Sequence, residues 1–356
     1  MARRKFAFVI HPRMQVREDM GLRWGPLRLV PEPLYDLALR ALRLPPITWS
    51  ELFWHDAPGE PAGWLILVPL SGRQMLTLRR ERVVAQVEAA LDRAAALGAE
   101  VVGLGALTAP VTAGGQRLVH RQDVGVTNGN AYTAAVTLEA MRRLLAGRTA
   151  DAEIAIVGAT GSVGSCLVKL LTRQRLASRL TLVARDQGRL ESLAAATSGA
   201  AAWLKVRAST EMAQVANADL VVLLTSSADA LLRSEHLKPG AMVLDDTQPR
   251  NTSPLLPRQR PDVRVIDGGL VAAPGLRLTH GLGLPAGTTF ACLAETLLLG
   301  LAGHRGHFSI GTPTPEQVTY VADLAVRFGV TLAPFHSFGQ PLPAVAAGGF
   351  AQGHRQ

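Results

Sequence analysis

Short runs of consecutive apolar residues alternate along this chain with longer stretches whose apolar positions recur every three or four residues. Phe6–Ile10 (FAFVI) reads as a buried strand that ends at His11 and Pro12. Residues 25–46 are proline-rich and read as a connection with one short helix around 34–42. Residues 64–70 (WLILVPL) and 101–107 (VVGLGAL) read as further strands, separated by a helical stretch over 79–97 that Gly98 stops. A helix is expected over 127–145. An alternating β/α series follows, with strands at 154–157, 180–184, 219–224, 241–245 and 263–267. Helices fill 162–175 and 188–197, with shorter ones near 209–216 and 228–235. A strongly apolar helix is expected over 289–301 and a last one over 315–328, after which periodicity ends.

The fold class expected from this pattern is α/β. An N-terminal α/β substrate domain occupies 1–130 and a nucleotide-binding domain 131–288. A C-terminal helical segment covers 289–338, and 339–356 is a disordered tail. The chain's 356 residues accommodate two or three domains, and 48% apolar against 18% charged residues excludes global disorder. Two cysteines exclude a disulfide framework or a Cys-rich zinc site, and no metal site is expected. The basic N-terminus precedes an apolar run too short for a secretory signal, and no run reaches the ~18 apolar residues of a membrane span. A cytoplasmic, soluble protein is the expectation. The net charge is +9, carried almost wholly by arginine. It reads either as GC-rich coding or as attraction to an acidic partner, an anionic lipid or a phosphorylated cofactor. No Cys/His finger or dense basic tract accompanies it, so nucleic acid is set aside.

Residues 154–157 (IAIV) run directly into Gly158-Ala-Thr160-Gly161-Ser162-Val163-Gly164, a glycine turn between a strand and a helix. In such a turn the first glycine permits the tight bend, the second lets backbone approach a pyrophosphate, and the third lets helix and strand touch. The helix start offers amides to the phosphates. This points to a Rossmann-type dinucleotide fold. The next strand ends at Arg185, where NAD-preferring sites carry an acid; an arginine there suits a 2′-phosphate and hence NADPH. Asp186 reads as a ribose ligand or as a helix cap. Ser226, Asp245-Asp246-Thr247 and Gly268-Gly269 end later strands on the same edge, as cofactor neighbours or as plain turns.

Cys292 lies in Thr288-Thr289-Phe-Ala-Cys292-Leu-Ala-Glu295. With Thr288 or Thr289 as cap, the cysteine falls in the first helical turn, where the dipole and free amides are expected to lower its pKa. Two readings stand at this point: a nucleophile that accepts an acyl group from a thioester before hydride reduction, and a packed helix residue. Cys166 reads as packing.

Several segments together carry a family resemblance: 6–11 (FAFVIH), Leu104-Gly105, 127–133 (TNGNAYT), 158–164 (GATGSVG), 182–185 (LVAR), 267–271 (DGGLV), 290–299 (FACLAETLLL) and 308–311 (FSIG). In them the chain resembles the aldehyde-forming long-chain acyl-[acyl-carrier-protein] reductases. The resemblance implies NADPH-dependent reduction of a fatty acyl thioester to an aldehyde. It places the catalytic cysteine at Cys292 and the nucleotide loop at Gly158, Thr160, Gly161 and Gly164, with the 2′-phosphate arginine at Arg185. It also makes His11 a candidate polar group of the active site. Glu295, one turn beyond Cys292, reads as a proton relay or as a dipole-favoured acid, and His280, His304 and His307 are candidate acids. The leucines at 37–44 and 65–70 read as a tunnel lining or as ordinary core. The implied partner is acyl carrier protein or acyl-CoA, drawn to arginines such as Arg79, Arg80 and Arg82, which read otherwise as a solvated helix start. A poorly soluble aldehyde product would suit peripheral membrane contact, and the oligomeric state is open. Departures stand at the proline-rich 25–46, at 286–289 and at Arg305, where a histidine is expected. Two other classes remain: a dehydrogenase of the shikimate or amino-acid type without covalent catalysis, and a non-catalytic NADP-binding module.

Overall fold

The computed structural model describes residues 3–13, 15–42, 44–147, 151–226 and 231–343. The chain divides into two compact units, Met1–Thr133 with Leu270–Thr331, and Ala134–Gly269 with the residues from Leu332 on. The expected domain limits at 130, 288 and 338 therefore shift. Residues 270–331, whose last helices were read as a separate C-terminal segment, build the first unit.

In the first unit, strand β1 (Phe6–Ile10) is central. It pairs in parallel with β3 (Gly63–Leu67) and with β4 (Val101–Leu104). β5 (Gly125–Thr127) extends the sheet beyond β4 in parallel, while β2 (Ile47–Trp54) joins β3 antiparallel and β13 (Leu276–Leu278) joins β2 antiparallel. The parallel strands are apolar along their whole length because both sheet faces are covered. Side chains alternate between the faces. Ala7, Val9, Val102 and Leu104 share a core with Val83, Val87 and Leu91 of helix α4 (Arg80–Ala96). The other face meets helix α10 (Ala291–Leu301), where a side chain on Gly103 would overlap Thr296 Oγ1 and come within 2.7 Å of Phe8.

Around this sheet stand α1 (Val16–Arg23), α2 (Glu32–Ala41), α3 (Gly72–Thr77), the single-turn α5 (Thr108–Val111) and α11 (Pro315–Phe328). β12 (Leu270–Ala272) pairs antiparallel with β14 (Thr288–Phe290). That pair corrects an expectation: Thr288 and Thr289 belong to a strand, and the N-cap of α10 is Phe290, with no side-chain cap. Residues 65–70 are buried, as ordinary core demands, but Leu37, Leu42 and Leu44 are exposed and line no interior.

In the second unit a six-stranded sheet runs in the order β11-β10-β9-β6-β7-β8. Its strands are β6 (Glu153–Val157), β7 (Arg179–Val183), β8 (Lys205–Ser209), β9 (Leu220–Leu223), β10 (Met242–Asp245) and β11 (Arg264–Asp267). Every pairing is parallel. Two βαβ halves thus diverge from β6, the doubly wound Rossmann order, with the order reversing between β6 and β9. α7 (Ser162–Leu171), α8 (Gln187–Ala200) and α9 (Leu256–Gln259) connect the strands, and α6 (Asn130–Leu145) leads in from the first unit's sequence. Cys166 is fully buried, as packing requires.

β8 is absent from the sequence expectation. It is an edge strand whose residues are half-exposed or exposed, so it lacks an apolar run. In place of the expected 228–235 helix a 3-10 turn forms at Ser234–His236, and residues 227–230 lie outside the described residues. The start of the expected tail is ordered: His336–Ser337 pairs with Gln340–Pro341, and Asp267 accepts the amides of Phe338 (2.9 Å) and Gly339 (2.7 Å). Residues 344–356 lie outside the described residues.

Candidate functional site

The second unit holds the nucleotide loop. Between β6 and α7, Gly158 has φ +88, a left-handed conformation, and a side chain there would lie 2.8 Å from the Leu224 carbonyl carbon at the end of β9. A side chain on Gly164 would lie 2.9 Å from Ala159 Cα, so α7 meets the loop through bare backbone. The N-cap of α7 is Gly161, and no side chain caps its first turn, which leaves the helix start open to phosphate. Thr160, Ser162 and Val163 are half-buried along the same turn. These features fit a dinucleotide pyrophosphate.

Because the six strands are parallel, their carboxyl ends share one edge. Arg185 is exposed there after β7, and Ser226 after β9, at the point where strand order reverses. Asp186 caps α8, its carboxylate accepting the Arg189 amide at 3.0 Å. Arg189 escaped the sequence reading. Its guanidinium donates to the Thr160 carbonyl at 2.7 Å, which sets a second cation beside the glycine loop. The only sequence signal is its position four residues after Arg185, in the first turn of α8.

Asp245 and Asp246 end β10 on the same edge, and their surroundings differ. Asp245 accepts amides from Thr247, Asn251 and Thr252. Asp246 accepts the Thr137 hydroxyl on Oδ2, while Oδ1 is fully enclosed without a partner among the described residues, in the space a Gly268 side chain would occupy. Burial pushes the Asp246 carboxyl up to about 7, against the Thr137 hydrogen bond and with help from the Asp245 charge. A proton is the least costly way to neutralise that enclosed oxygen.

The first unit holds the thiol. Cys292 is the second residue of α10, as the sequence reading placed it, and a partly exposed one, whereas Leu293 to Leu301 are all buried. Gly129, with φ +76, lies flat against it; any side chain on Gly129 would overlap Cys292 Cβ. The expected lowering of the thiol pKa is overturned. Burial pushes the Cys292 thiol up to about 12; the Leu293 amide pulls the other way, and the Glu295 charge adds to the rise. Desolvation here outweighs the helix dipole.

Glu295 is fully buried. Its carboxylate accepts the Thr127 hydroxyl and, at 2.7 Å, the Tyr132 amide, and the Gly129 and Ala131 amides also favour its charged form. It caps the start of α6 from another segment of the chain. Burial pushes this carboxyl up to about 7 against those hydrogen bonds. Asn128 extends the same turn: its Nδ2 donates to Gly311 O (2.9 Å) and Gly114 O (3.1 Å), and its Oδ1 accepts the Ser309 hydroxyl (2.7 Å). The segments TNGN, FACLAE and FSIG are thus one hydrogen-bonded cluster around the thiol. The sequence marks this tetrapeptide but not the part its asparagine and glycine play beside Cys292.

Both His11 nitrogens are met by backbone: Nδ1 donates to Pro12 O (2.7 Å) and Nε2 accepts the Leu107 amide (3.2 Å). Burial lowers its pKa against the Pro12 hydrogen bond and the Asp19 charge. His304 and His307 follow the C-terminal end of α10, on the order of 15 Å along the helix from Cys292. There His307 Nδ1 accepts the Val126 amide at 3.0 Å. His280 lies against the Arg23 guanidinium, and burial and that charge lower its pKa.

Comparison with known proteins adds four findings. Residues 139–267 match the family Shikimate / quinate 5-dehydrogenase. Over 309 residues the chain is 26% identical to a long-chain acyl-[acyl-carrier-protein] reductase of Synechococcus elongatus, covering 78% of this chain and 88% of that protein. Over 288 residues it is 27% identical to the aminotransferase PigE of Serratia, covering 78% of this chain but only 33% of that one, so the chain spans about a third of that relative's length. Among solved structures, quinate dehydrogenase from Corynebacterium glutamicum in complex with NAD aligns over 91% of this chain and 99% of that one, at 13% identity and a TM-score of 0.41.

Two outcomes follow from the electrostatics. Alkylation of Cys292 by iodoacetamide should accelerate about tenfold per pH unit from neutrality upward with no plateau below pH ~10, because only the thiolate reacts. Intact-mass kinetics with Cys166→Ala as background check this; a plateau near pH 7 would show a thiolate already formed. Asp246 is an acid whose folded pKa stands above its unfolded value of 3.8. Its contribution is fully present below about pH 4 and is lost as pH rises through about 7. Asp246→Asn should therefore flatten the fall in stability between those limits, by an amount on the order of a few kcal/mol. Urea melts of both proteins at pH 5 and pH 8 measure it.

Proposed function

We propose that this chain reduces a long-chain acyl thioester, carried by acyl carrier protein or coenzyme A, to the aldehyde, with NADPH as reductant and Cys292 as the acyl acceptor. The observation that carries the reading is the cluster around Cys292, in which the segments shared with acyl-[acyl-carrier-protein] reductases meet by hydrogen bonds at one helix start. The dehydrogenase match over 139–267 and the reductase relative support the coarser class, an NAD(P)-dependent oxidoreductase. The glycine loop supports the nicotinamide cofactor, and Arg185, with Arg189 in the first turn of the following helix, supports its 2′-phosphate form.

The Cys292 sulfur attacks the thioester carbonyl carbon, and the carbon–sulfur bond to the carrier breaks. The thiol proton leaves with the carrier sulfur, so the products are acyl-Cys292 and a free carrier thiol. Attack proceeds through the thiolate fraction, which burial keeps small at neutral pH. An oxyanion formed on the carbonyl would be received by the amides at the start of α10, among them that of Leu293, which already favours the thiolate. NADPH, when bound, supplies the hydride to the acyl carbon. With one proton added, the aldehyde departs and the Cys292 thiol is restored. Glu295 holds the turn against which Cys292 rests; its oxygens are engaged with Thr127 and Tyr132, which makes it a positioning residue.

Incubation with palmitoyl-CoA in the absence of NADPH, followed by intact mass, should show one palmitoyl adduct. It should persist in Cys166→Ala and vanish in Cys292→Ala, with turnover reduced about a thousandfold or more. Turnover retained in Cys292→Ala would instead favour the dehydrogenase reading without a covalent step. Arg185→Ala should raise KM for NADPH roughly ten- to a hundredfold while leaving KM for NADH nearly unchanged; steady-state kinetics with both cofactors check it.

A further inference from the structure

The large exposed apolar residues of this chain concentrate in one stretch. Trp24 is 62% exposed, Leu29 85%, Leu34 54% and Leu37 64%, with Leu22 and Leu42 beside them. Leu34, Leu37 and Ala41 lie three and four residues apart on α2, so they share a face of that helix. Neither α2 nor the 3-10 turn before it (Gly25–Leu29) contains a buried residue. These elements lie on the unit with their apolar side turned to solvent, which a soluble surface avoids unless the patch is used.

The neighbouring corner is cationic. Asp36 fastens α2 to the start of α3, accepting the Ser71 hydroxyl at 3.2 Å, while its carbonyl accepts the Gln74 amide side chain at 3.0 Å. Arg82 of α4 donates to the Arg40 carbonyl at 3.0 Å. Exposed Arg40, Arg73, Arg79 and Arg80 therefore stand to one side of the apolar face, and between 73 and 82 the only acid is Glu81. The acids of the apolar stretch itself are spent on its own fold: Glu32 accepts the Val16 amide (2.6 Å), Asp19 accepts the Arg13 amide (2.6 Å), and Glu18 pairs with Arg28 at 3.1 Å.

We propose that this face, α2 with the turn before it and the arginines of the α3–α4 corner, docks on an anionic lipid bilayer. The leucines and Trp24 enter the headgroup boundary, and the arginines meet the lipid phosphates. An acidic protein partner would account for the cations alone. A bilayer accounts for cations and protruding leucines together, since it offers an apolar interior directly beneath an anionic surface, and tryptophan favours that boundary. Among the described residues no helix is long and apolar enough to cross a membrane, so the contact is peripheral. The inference does not rest on the acyl-thioester reading, because binding to lipid needs no turnover.

The test uses the full chain with two vesicle types, phosphatidylcholine alone and an equal mixture with phosphatidylglycerol. Co-sedimentation should be at least about tenfold stronger with the anionic vesicles and should weaken with salt. The double substitution Leu34→Glu with Leu37→Glu should lower the bound fraction about tenfold, and Arg79→Ser with Arg80→Ser should remove most of the preference for anionic lipid. Tryptophan emission should shift to the blue on binding, and Trp24→Phe should abolish the shift. All substituted residues are exposed, and thermal melts matching the parent establish that each variant is folded. A parent that stays in the supernatant with both vesicles overturns the proposal, as does binding unchanged by the leucine pair. If the leucine pair instead abolishes self-association by light scattering, or capture by purified acyl carrier protein, with no vesicle binding in the parent, the face belongs to that partner and the proposal fails.

Discussion

A single carboxylate organises the first unit's candidate site. Glu295 is buried, stands one turn beyond Cys292, and takes the Thr127 hydroxyl and the amides that open α6. Without it, the first turn of α6 would present several unpaired amides inside the protein, each costing about 1–3 kcal/mol. With it, the turn 127–130 is drawn against α10, and Gly129 can lie flat on Cys292 because it has no side chain and accepts a left-handed φ. Asn128 then locks that turn to the loops at Gly114 and Gly311. The position of the sulfur is a consequence of these bonds.

The same burial sets the chemistry of the titratable groups. Cys292, Glu295 and Asp246 all have pKa values displaced toward their neutral forms by desolvation, and in each case hydrogen bonds recover only part of the shift. Helix-dipole reasoning about Cys292 fails because it treats a partial charge at the surface, whereas the dominant cost is removing water from a thiolate. A raised thiol pKa keeps the thiolate fraction of Cys292 small and so slows oxidation of the sulfur.

The nucleotide unit is built differently. Its loop, its arginines and the ends of its strands meet because parallel strands must all finish on the same edge, and the glycine loop falls where strand order reverses. No side-chain network is required to gather them; the topology does so. The motifs around Cys292, by contrast, come from segments separated by more than a hundred residues and are gathered by hydrogen bonds.

Local regularity was readable from residues alone. The apolar runs marked the central strands, the glycine turn marked the nucleotide loop, and the cysteine's place near a helix start was visible, because each depends on neighbours a few positions apart. Polar edge strand β8 and strand β14 escaped, since their pairing partners, and not their own composition, make them strands. The protonation of Cys292, the structural engagement of His11 and Glu295, the pairing of Arg189 with the glycine loop and the outward face of α2 were decided only in three dimensions. Each depends on which atoms from distant segments exclude water from a group or fail to cover it, and sequence spacing carries no measure of that.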